Sequence, residues 1–571
     1  MDHCGDFPHF PALRLASLGR ALVLLGLLLL SACQPSGDAA SAKSNPQPES
    51  VAPLRPSSPI FEDGTERSRL EFTHQLADGK LDNIMESDGA GGVVLDFDGD
   101  GFMDLYLVNS GPAPVLSDAP PGTPRSPNRL FRNRGDGTFE DVTKRAGVEG
   151  QGFGTTAAAA DHDNDGDTDL LVVNFGSLIL FQNQGDGTFK DQTEAAGLRS
   201  RGAGISATFF DADRDGWLDL FVANYLKFDP KVKVEPGSKA PYPGPLAYDA
   251  ELNLLYRNRG DGTFEDVSER TGIRLPGHRA MSVTPFDYDL DGDTDLYVSN
   301  DGTANLLLAN DGQGHFADVG LQTGTGLNQF GTADGSMGAA IADCNSDGWP
   351  DLFVTRFGKA SLYINSRGGF FEDRIQASGI LEVSSPYTGW GGNFLDFDND
   401  GDQDVFIANG HAHFLQGMPP LLLENRGDGS FTDASASGGP FFTTRLSARG
   451  SGALDFDNDG RTDLVLTTLG DRARLLRNRT ASPGRWLKLK LAGTRSNRDG
   501  FGVLVKVSAA SRVWVAEARC PTSYVFQQDP RLHFGLDAAT RADRIEIRWP
   551  SGQTQTLTNV TAGQLLQIRE P

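Results

Sequence analysis

The sequence predicts an all-β protein in which a seven-bladed β-propeller precedes a small β domain of the sandwich type. Three observations support this fold class. The pattern D-x-D-x-D-G-x-x-D, or a close variant, occurs seven times with first acids 50 to 76 residues apart. A short apolar, β-branched run follows every copy, and a hairpin turn ending in phenylalanine lies downstream of six copies. A period of about 50 to 60 residues in an all-β pattern is typical of propeller blades.

Length and composition agree with this fold class and narrow the function. The chain has 571 residues, 38% hydrophobic content and 69 glycines, which suits a large core in two domains and many tight turns. Its formal net charge of -25 argues against a nucleic-acid-binding surface and favours bound counter-cations.

The amino terminus predicts export from the cytoplasm. Arg14 and Arg20 precede an apolar run at 21–30, which is too short to span a bilayer and suits a signal peptide. Residues 1–32 are therefore predicted to form a signal segment, and residues 33–59, rich in Ser, Ala and Pro, a flexible tether.

The end of the signal segment, Leu30-Ser31-Ala32-Cys33, resembles a bacterial lipoprotein signal. The resemblance implies cleavage before Cys33 and a lipid on its thiol, and hence a membrane as partner. An ordinary signal peptidase site after Ala32 is the alternative. Gln34 favours the outer membrane of a two-membrane cell, with the periplasmic or the surface side left open.

The repeated loop has the composition of a site for a hard divalent cation. In the copy at 396–404, Asp396, Asp398, Asp400 and Asp404 can turn carboxylates toward one centre, and Gly401 allows the sharp bend. Strand-like runs flank the loop where an EF-hand has helices, and the position-12 glutamate of an EF-hand is absent. Four carboxylates without a cation would repel by roughly 4 kcal/mol per pair at about 4 Å and an effective dielectric of 20. Acidic turns that merely face water are the alternative.

The blades are predicted to occupy residues 60–482 and to close into a ring. The seventh loop has no hairpin after it, whereas Phe61-Glu62-Asp63 precedes the first loop and matches the missing outer strand. Pairing of these two ends would remove the exposed edges of an open array. From residue 483 to 571 the alternation changes, as in Leu487, Leu489 and Leu491, which predicts the second β domain.

These motifs resemble a known family. The blades resemble FG-GAP or VCBS repeats of the integrin α-subunit type. The pieces beginning at Trp486 (WLKLKLAGTRSNRDGFG), His533 (HFGL) and Trp549 (WPSG) resemble an ASPIC/UnbV domain. Together they are similar to bacterial relatives of cartilage acidic protein, which implies an integrin-α-like propeller, bound calcium and association with a cell surface or matrix.

The resemblance implies calcium ligands at the first, third, fifth and ninth position of each loop, for up to seven ions. The fifth loop departs from the pattern with Asn345 at its third position, so we expect weaker binding there. The ligands are Asp96, Asp98, Asp100 and Asp104; Asp161, Asp163, Asp165 and Asp169; Asp211, Asp213, Asp215 and Asp219; Asp287, Asp289, Asp291 and Asp295; Asp343, Asn345, Asp347 and Asp351; Asp396, Asp398, Asp400 and Asp404; and Asp455, Asp457, Asp459 and Asp463.

Several weaker signals allow two interpretations. Cys344 and Cys520 could form a disulfide in an oxidising compartment or remain free, buried thiols. The insertion at 227–249, with Tyr242 and Tyr248, is either a surface excursion or a binding loop. Arg-Gly-Asp at 134, 259 and 426 is interpreted as the turn of the repeat, because each triplet lies inside N-R-G-D-G-[TS]-F.

A second group of candidates follows or precedes the sixth and seventh loops. His411 and His413 could bind a transition metal or act as ordinary loop residues. Trp390 and Arg449 are expected near the same face as His411, where an aromatic ring with a cationic neighbour would suit a sugar or an anion; core packing of Trp390 is the alternative.

The function predicted from these features is a calcium-binding, lipid-anchored extracytoplasmic binding or adhesion protein. Its expected ligand is a polysaccharide or a surface or matrix protein. No HExxH, GxxxxGK[ST] or GxSxG motif occurs, so no catalytic residue is assigned and an enzyme is not expected. A lyase-type enzyme acting on polysaccharide, with His411 and Arg449 as candidates, and a structural envelope protein are the alternatives.

Overall fold

The computed structural model describes residues 58–571 apart from residues 77, 114, 118, 119, 121, 201, 482 and 521. The predicted signal segment, the lipidation site Cys33 and all but the last two residues of the predicted tether lie outside the described residues. None of the helices in the described part is long and apolar enough to cross a bilayer. These helices are short: α1 Thr143–Ala146, α2 Gly320–Thr323, α3 Ile380–Ser384 and α4 Ser435–Gly438, with 3₁₀ turns at Ile84–Ser87, Pro245–Ala247 and Pro440–Thr443.

Seven blades of four antiparallel strands each make up most of the described chain, and six of them are built from consecutive strands; the sheet of blade 1 has a fifth strand, which comes from the carboxy-terminal domain. The first strand is β1 Phe61–Asp63. Blades 1 to 3 contain β2 Gly92–Leu95, β3 Asp104–Leu107, β4 Arg129–Asn133, β5 Phe139–Asp141; β6 Gly154–Ala160, β7 Asp169–Asn174, β8 Ser177–Asn183, β9 Phe189–Asp191; β10 Gly204–Phe210, β11 Asp219–Asn224, β12 Leu254–Asn258, β13 Phe264–Asp266.

Blades 4 to 7 repeat the arrangement, with the inner strand first. They contain β14 Ala280–Phe286, β15 Asp295–Asn300, β16 Leu306–Asn310, β17 Phe316–Asp318; β18 Ser336–Ala342, β19 Asp351–Arg356, β20 Ser361–Asn365, β21 Phe371–Asp373; β22 Gly389–Leu395, β23 Asp404–Asn409, β24 Leu421–Asn425, β25 Phe431–Asp433; β26 Ala448–Leu454, β27 Asp463–Thr468, β28 Arg474–Asn478, with β1 as the fourth strand of blade 7.

The blades form a closed ring, and the predicted all-β propeller is confirmed. Each inner strand neighbours the inner strand of the next blade, and β26 neighbours β2. The outer strand β1 pairs with β28, with Phe61 opposite Asn478. The sequence expectation that residues 61–63 complete the last blade is therefore confirmed, and the ring has no open edge between its two chain ends.

The burial of the four strands explains their sequences. The second strands, such as β7, are buried on every residue because a blade packs on each side of them, which gives continuous apolar runs. The third strands are also mostly buried, but each has at least one half-buried or exposed residue near its end. Each outer strand contributes a buried phenylalanine followed by more exposed residues, as in β5.

The carboxy-terminal region is a β-sandwich-like domain of two sheets, as predicted. One sheet has the order β33-β29-β36 and the other β31-β30-β34-β35, and their inner faces share one hydrophobic core. The strands are β29 Arg485–Ala492, β30 Leu504–Ala509, β31 Arg512–Glu517, β32 Phe526–Gln527, β33 Leu532–Asp537, β34 Arg541–Arg548, β35 Thr554–Thr561 and β36 Gln564–Arg569.

Residues 522–528 of the carboxy-terminal domain lie inside the ring of inner strands, and we call them the plug segment. β32 pairs in parallel with β2 of blade 1. Gln527 exchanges hydrogen bonds with the backbone of Ala159 in blade 2, and Ser523 does so with Gly392 in blade 6.

Small residues on the inner strands make room for the plug segment. A Cβ atom on Gly338 would lie 2.7 Å from the amide nitrogen of Tyr524, and one on Gly450 would lie 2.9 Å from the Phe526 ring. The glycine at each of these positions is therefore required by close approach rather than by a turn.

The opposite end of the ring is capped by the insertion at 227–249. Tyr242 and Tyr248 are only 3% and 5% exposed and belong to one hydrophobic cluster with Tyr524 of the plug segment. The Tyr242 hydroxyl donates to the carbonyl of Ala412 at 2.5 Å. The two tyrosines therefore anchor the insertion to the propeller and are not available to a ligand.

Candidate metal centres

The seven acidic loops join the first and second strand of each blade and share one backbone geometry. Their sixth position is a glycine with positive φ throughout, from 83° at Gly460 to 105° at Gly292. Their fourth position also has positive φ, even where it is Leu290 or Arg214. A left-handed residue is strained without glycine or asparagine, so the repetition indicates that the loop as a unit imposes this conformation.

The first and ninth positions hold the loop together through backbone hydrogen bonds. In all seven loops the ninth carboxylate accepts the N–H of the second position with one oxygen and the N–H of an asparagine at the end of the third strand with the other. The first carboxylate accepts the N–H of the sixth-position glycine, as Asp396 does from Gly401 at 2.8 Å. These interactions place the loop carboxylates before any ion arrives.

The loop carboxylates converge as the sequence predicts. Ligand atoms of Asp96, Asp98 and Asp104 lie within 4.8 Å of one another, and equivalent groups occur in the second, third and fourth loops. Four loop carboxylates have a buried oxygen without a hydrogen-bond partner; they are Asp163, Asp213, Asp289 and Asp396, in loops 2, 3, 4 and 6. Carboxylate oxygens left bare in this way suit a bound cation.

Burial, together with neighbouring acids, makes the ionised loops costly without a cation. Burial first, and then the carboxylate of Asp499, raises the pKa of Asp161 to about 8. Burial and then Glu517 raise the pKa of Asp287 to about 8. The pKa of Asp396 is raised well above its usual value by burial and then by Asp400.

The sequence analysis missed one position in each blade that lies next to the acidic loop. It divides the loops into those whose acids contact an arginine of the third strand and those whose acids do not. It is the next-to-last residue of the third strand, which reads Arg132, Gln182, Arg257, Ala309, Ile364, Glu424 and Arg477 in blades 1 to 7. The three arginines contact the third and fifth loop acids of their own blade. Aligning the seven repeats by eye on their asparagine would have revealed this variable position.

The third-strand asparagines connect each loop to the loop of the preceding blade. The side-chain amide of Asn183 donates to the carbonyl of Phe97 in loop 1 at 2.8 Å. Equivalent bonds run around the whole ring and close it with Asn133, which donates to the carbonyl of Phe456 in loop 7. The acidic loops therefore form one hydrogen-bonded circle.

The carboxy-terminal domain lies directly on this circle of loops. The Nζ atoms of Lys490 and Lys488 lie 3.1 Å and 2.8 Å from first-position carboxylates of loops 1 and 7, respectively. The backbone N–H groups of Asp161 and Asp287 donate to Asp499 and Glu517, and the Trp514 indole donates to the carbonyl of Gly401.

The first acid of the fifth loop is less buried than the first acids of the other six loops. It borders a cavity of about 210 Å³ between the propeller and the carboxy-terminal domain, which is lined by residues of loops 4 to 7. Asp343 is half-buried, and burial raises its pKa to only about 6. Together with Asn345, this exposure agrees with weaker cation binding in blade 5.

The two cysteines and the Arg-Gly-Asp triplets have structural roles. Cys344 and Cys520 are free and buried, so the disulfide alternative is wrong. The aspartate of each Arg-Gly-Asp triplet caps its own turn, as Asp136 does by accepting the N–H of Thr138, in agreement with the interpretation as a turn.

Trp390 and Arg449 do lie beside His411, but they are buried. The Arg449 guanidinium stacks 3.8 Å from the centroid of the Trp390 ring and donates to the carbonyls of Ser87 and His411. Trp390 is 1% and Arg449 0% exposed. Core packing is therefore the correct interpretation, and this pair offers no open surface to a sugar.

Family comparisons match both parts of the chain. A family model described as FG-GAP-like repeat matches residues 96–172, 161–222, 246–298, 287–354, 343–407 and 396–466. A model described as ASPIC and UnbV matches residues 493–571. The matched repeats contain the acidic loops, and the second match covers most of the carboxy-terminal domain.

Curated relatives share about a quarter of their residues with this chain. Human cartilage acidic protein 1 is 26% identical over 339 residues, which is 57% of this chain and 48% of that protein. The proteins of the same name from Xenopus tropicalis and Mus musculus are 25% identical over 339 and 342 residues, which cover 55% and 57% of this chain and 48% and 50% of theirs. The chain thus spans about half the length of the curated relatives it matches.

Solved structures align more loosely. An Agrocybe aegerita lectin that recognises non-reducing terminal N-acetylglucosamine has a TM-score of 0.37 and 16% identity, covering 67% of this chain and 86% of its own. BBS1N in complex with ARL6DN has a TM-score of 0.40 and 9% identity, covering 74% and 99%. These alignments carry no argument about function.

Proposed function

We propose a function from one premise: the chain belongs to the FG-GAP-like repeat family and carries an ASPIC/UnbV domain. This combination suggests an extracellular protein of the binding or adhesion type. Within that class, the function we propose is a calcium-binding protein that is held at the cell envelope by a lipid on Cys33 and binds a polysaccharide or a surface protein.

The observation that carries the calcium proposal is the bare carboxylate oxygen of Asp396. This residue is only 2% exposed and its Oδ1 atom has no hydrogen-bond partner, while Asp398 and Asp400 are near enough to raise its pKa. A buried carboxylate oxygen without a donor is costly. Calcium, which prefers several oxygen ligands, would remove that cost here and at the equivalent bare oxygens of Asp163, Asp213 and Asp289.

The proposed ligands are the loop acids of the first, third, fifth and ninth positions, with Asn345 in blade 5. When bound, calcium supplies positive charge that offsets the converging carboxylates, and it has a structural rather than a chemical role. The chain's own residues do the positioning: backbone N–H groups hold the first and ninth acids, and in blades 1, 2, 3 and 7 the third-strand arginine or glutamine contacts the third acid.

Calcium-dependent stability should increase with pH. In chelator, Asp161 and Asp287 have folded pKa values of about 8, above the unfolded value near 4. Their contribution to stability is therefore present below pH ~4 and is lost as the pH rises toward about 8. Calcium binds the ionised form, so the difference in unfolding midpoint between calcium and chelator should be larger at pH 8 than at pH 5. A difference that shrinks with pH in a thermal scan would contradict this assignment.

The third-strand residue should determine the relative calcium affinity of the seven sites. A guanidinium about 6 Å from calcium repels it by roughly 1.4 kcal/mol even at the dielectric constant of water, or about tenfold in affinity. We expect blade 6, with Glu424, to bind tightest, and blades 1, 3 and 7 to bind more weakly. Blade 4 has Ala309 at this position but should not match blade 6, because the Arg548 guanidinium lies 3.2 Å from Asp287. In a calorimetric titration, Arg257→Ala should move one site into the tighter class.

Two further variants test whether the third-strand residue sets the calcium affinity. Glu424→Ala should move one site in the opposite direction. Arg274→Ala is the matched control, because this arginine pairs with Asp266 and Glu269 rather than with a metal loop. An unchanged partition of sites in Arg257→Ala and Glu424→Ala would show that the third strand does not set affinity.

Binding rather than catalysis is the activity we propose. The pair considered for lyase chemistry, His411 and Arg449, leaves only His411 at the surface, because Arg449 is fully buried. The test is co-elution of the chain from residue 34 with polysaccharides or matrix proteins in size-exclusion chromatography, at about 1 mM calcium and in chelator. Intact ligand that co-elutes only with calcium supports the proposal, shortened polymer would show an enzyme, and no retention of any ligand would favour a structural protein.

A further inference from the structure

A group of exposed aromatic rings lies on the propeller face opposite the metal loops. Phe330, Phe357 and Phe414 are 63%, 50% and 44% exposed. Phe357 follows the end of β19 and Phe414 comes five residues after β23, while Phe330 precedes β18. All three therefore stand at the strand ends that point away from the loops. With Lys359, His411 and His413 they form what we call the aromatic patch.

Phe357, Phe414 and the two histidines of the aromatic patch form one set of ring contacts, which rests on the buried cap. The His413 ring centroid lies 6.0 Å from that of Phe357 and 6.4 Å from that of Phe414. His413 also lies 5.3 Å from Tyr242, whose hydroxyl is fixed to the carbonyl of Ala412. The patch is thus built on a packed support, which reduces the entropy lost when a ligand binds.

The polar groups of the aromatic patch are mostly donors. The backbone N–H of His413 donates to Nδ1 of His411 at 3.0 Å, so the neutral His411 ring carries its proton on Nε2. The Lys359 ammonium lies 5.2 Å from the centroid of the Phe330 ring. Asp334, the carboxylate in the same connection as Phe330, is already paired with Arg356 at 3.2 Å.

From this arrangement we propose that the aromatic patch binds an acidic polysaccharide. The phenylalanine rings can stack on the apolar faces of sugar rings, while Lys359 and the imidazole donors meet carboxylate or sulfate groups. The net charge of -25 opposes a polyanion elsewhere on the surface. At physiological salt, however, charges farther than about 8 Å away are largely screened. The charge of Lys359 therefore determines whether a polyanion is attracted to the patch. This inference deepens the proposed binding function and rests on it.

The test measures binding of the chain from residue 34, saturated with calcium, to immobilised hyaluronan, heparin and dextran. Hyaluronan supplies carboxylates, heparin supplies mainly sulfates, and dextran is neutral. The variants are Phe357→Ala with Phe414→Ala, and separately Lys359→Glu. The matched controls are Phe370→Ala, an exposed phenylalanine at the other end of blade 5, and Lys144→Glu on α1.

We expect binding to at least one acidic polymer and not to dextran. The double variant should bind about tenfold more weakly, as expected for aromatic contacts at the centre of a site, and Lys359→Glu should be weakened while the controls are unchanged. Equal binding by the patch variants would overturn the inference and leave the proposed binding function standing. Binding of none of the three polymers would overturn the inference, and the additional failure of every polysaccharide and matrix protein in the co-elution test would overturn the proposed function as well. If the parent chain binds anionic vesicles but no polysaccharide, and the patch variants lose this vesicle binding, the patch is a membrane contact instead.

Discussion

Removal of calcium from the intact chain is expected to lower its midpoint of thermal unfolding by about 10 °C. At about 1 mM calcium and a dissociation constant of about 0.1 mM, each site adds roughly 1.4 kcal/mol to the free energy of unfolding, or on the order of 10 kcal/mol for seven sites. An entropy of unfolding of about 2 cal/mol/K per residue converts this into about 1 °C per kcal/mol for a chain of this size.

The physical reason lies in the position of the loops between two packed layers. The ninth-position acids are all buried, and the carboxy-terminal domain contacts the same loops through Lys488, Lys490 and Trp514. Uncompensated charge would therefore weaken the hairpins and the domain contact together. Scanning calorimetry in calcium, in chelator and in magnesium measures the effect. Equal midpoints in calcium and chelator would show that the loops need no ion.

Phe526→Ala is expected to reduce the free energy of unfolding by about 3 to 5 kcal/mol, the usual cost of a large buried ring. Phe526 is 1% exposed, and its ring fills the space left by Gly92, Gly450 and Gly452 on three inner strand positions. These three neighbours have no side chain that could move into the vacated volume, so most of the cavity should remain. Chemical denaturation measures the change.

The matched control for this variant is Phe330→Ala, which removes the same ring from a position that is 63% exposed. We expect a change of less than about 0.5 kcal/mol there. In Phe526→Ala, residues 518–530 should also become accessible to protease under native conditions, since the plug segment would leave the ring more often. Equal stability of the two variants would contradict the role assigned to the plug segment.

The fold could be predicted from the sequence because its determinants are local and repeated. The spacing of Asp96, Asp98, Asp100 and Asp104 within one loop sets the turn, and the recurrence of the loop sets the blades. The strand that closes the ring could also be predicted from the sequence, because Phe61 carries the outer-strand motif that the seventh blade lacks.

The contacts that the sequence did not reveal are between distant residues. Gln527 bonds to Ala159, 368 residues away, and Arg449 bonds to Ser87, 362 residues away. The repeat pattern of the sequence gives no information about contacts between such distant residues. Trp390 and Arg449 were therefore considered as surface candidates, although they lie in the core. The exposed Phe357 and Phe414 were missed for the converse reason, since apolar residues after a strand usually pack inward.

The central claim is that the acidic loops bind calcium, and counting bound ions tests it most directly. The intact chain would be stripped with chelator, dialysed against about 1 mM calcium and assayed for calcium per chain by atomic emission. We predict up to seven ions, and one fewer in a variant with Asp396→Asn and Asp398→Asn. A chain that retains no calcium, or a variant that retains the same number as the parent, would contradict the account.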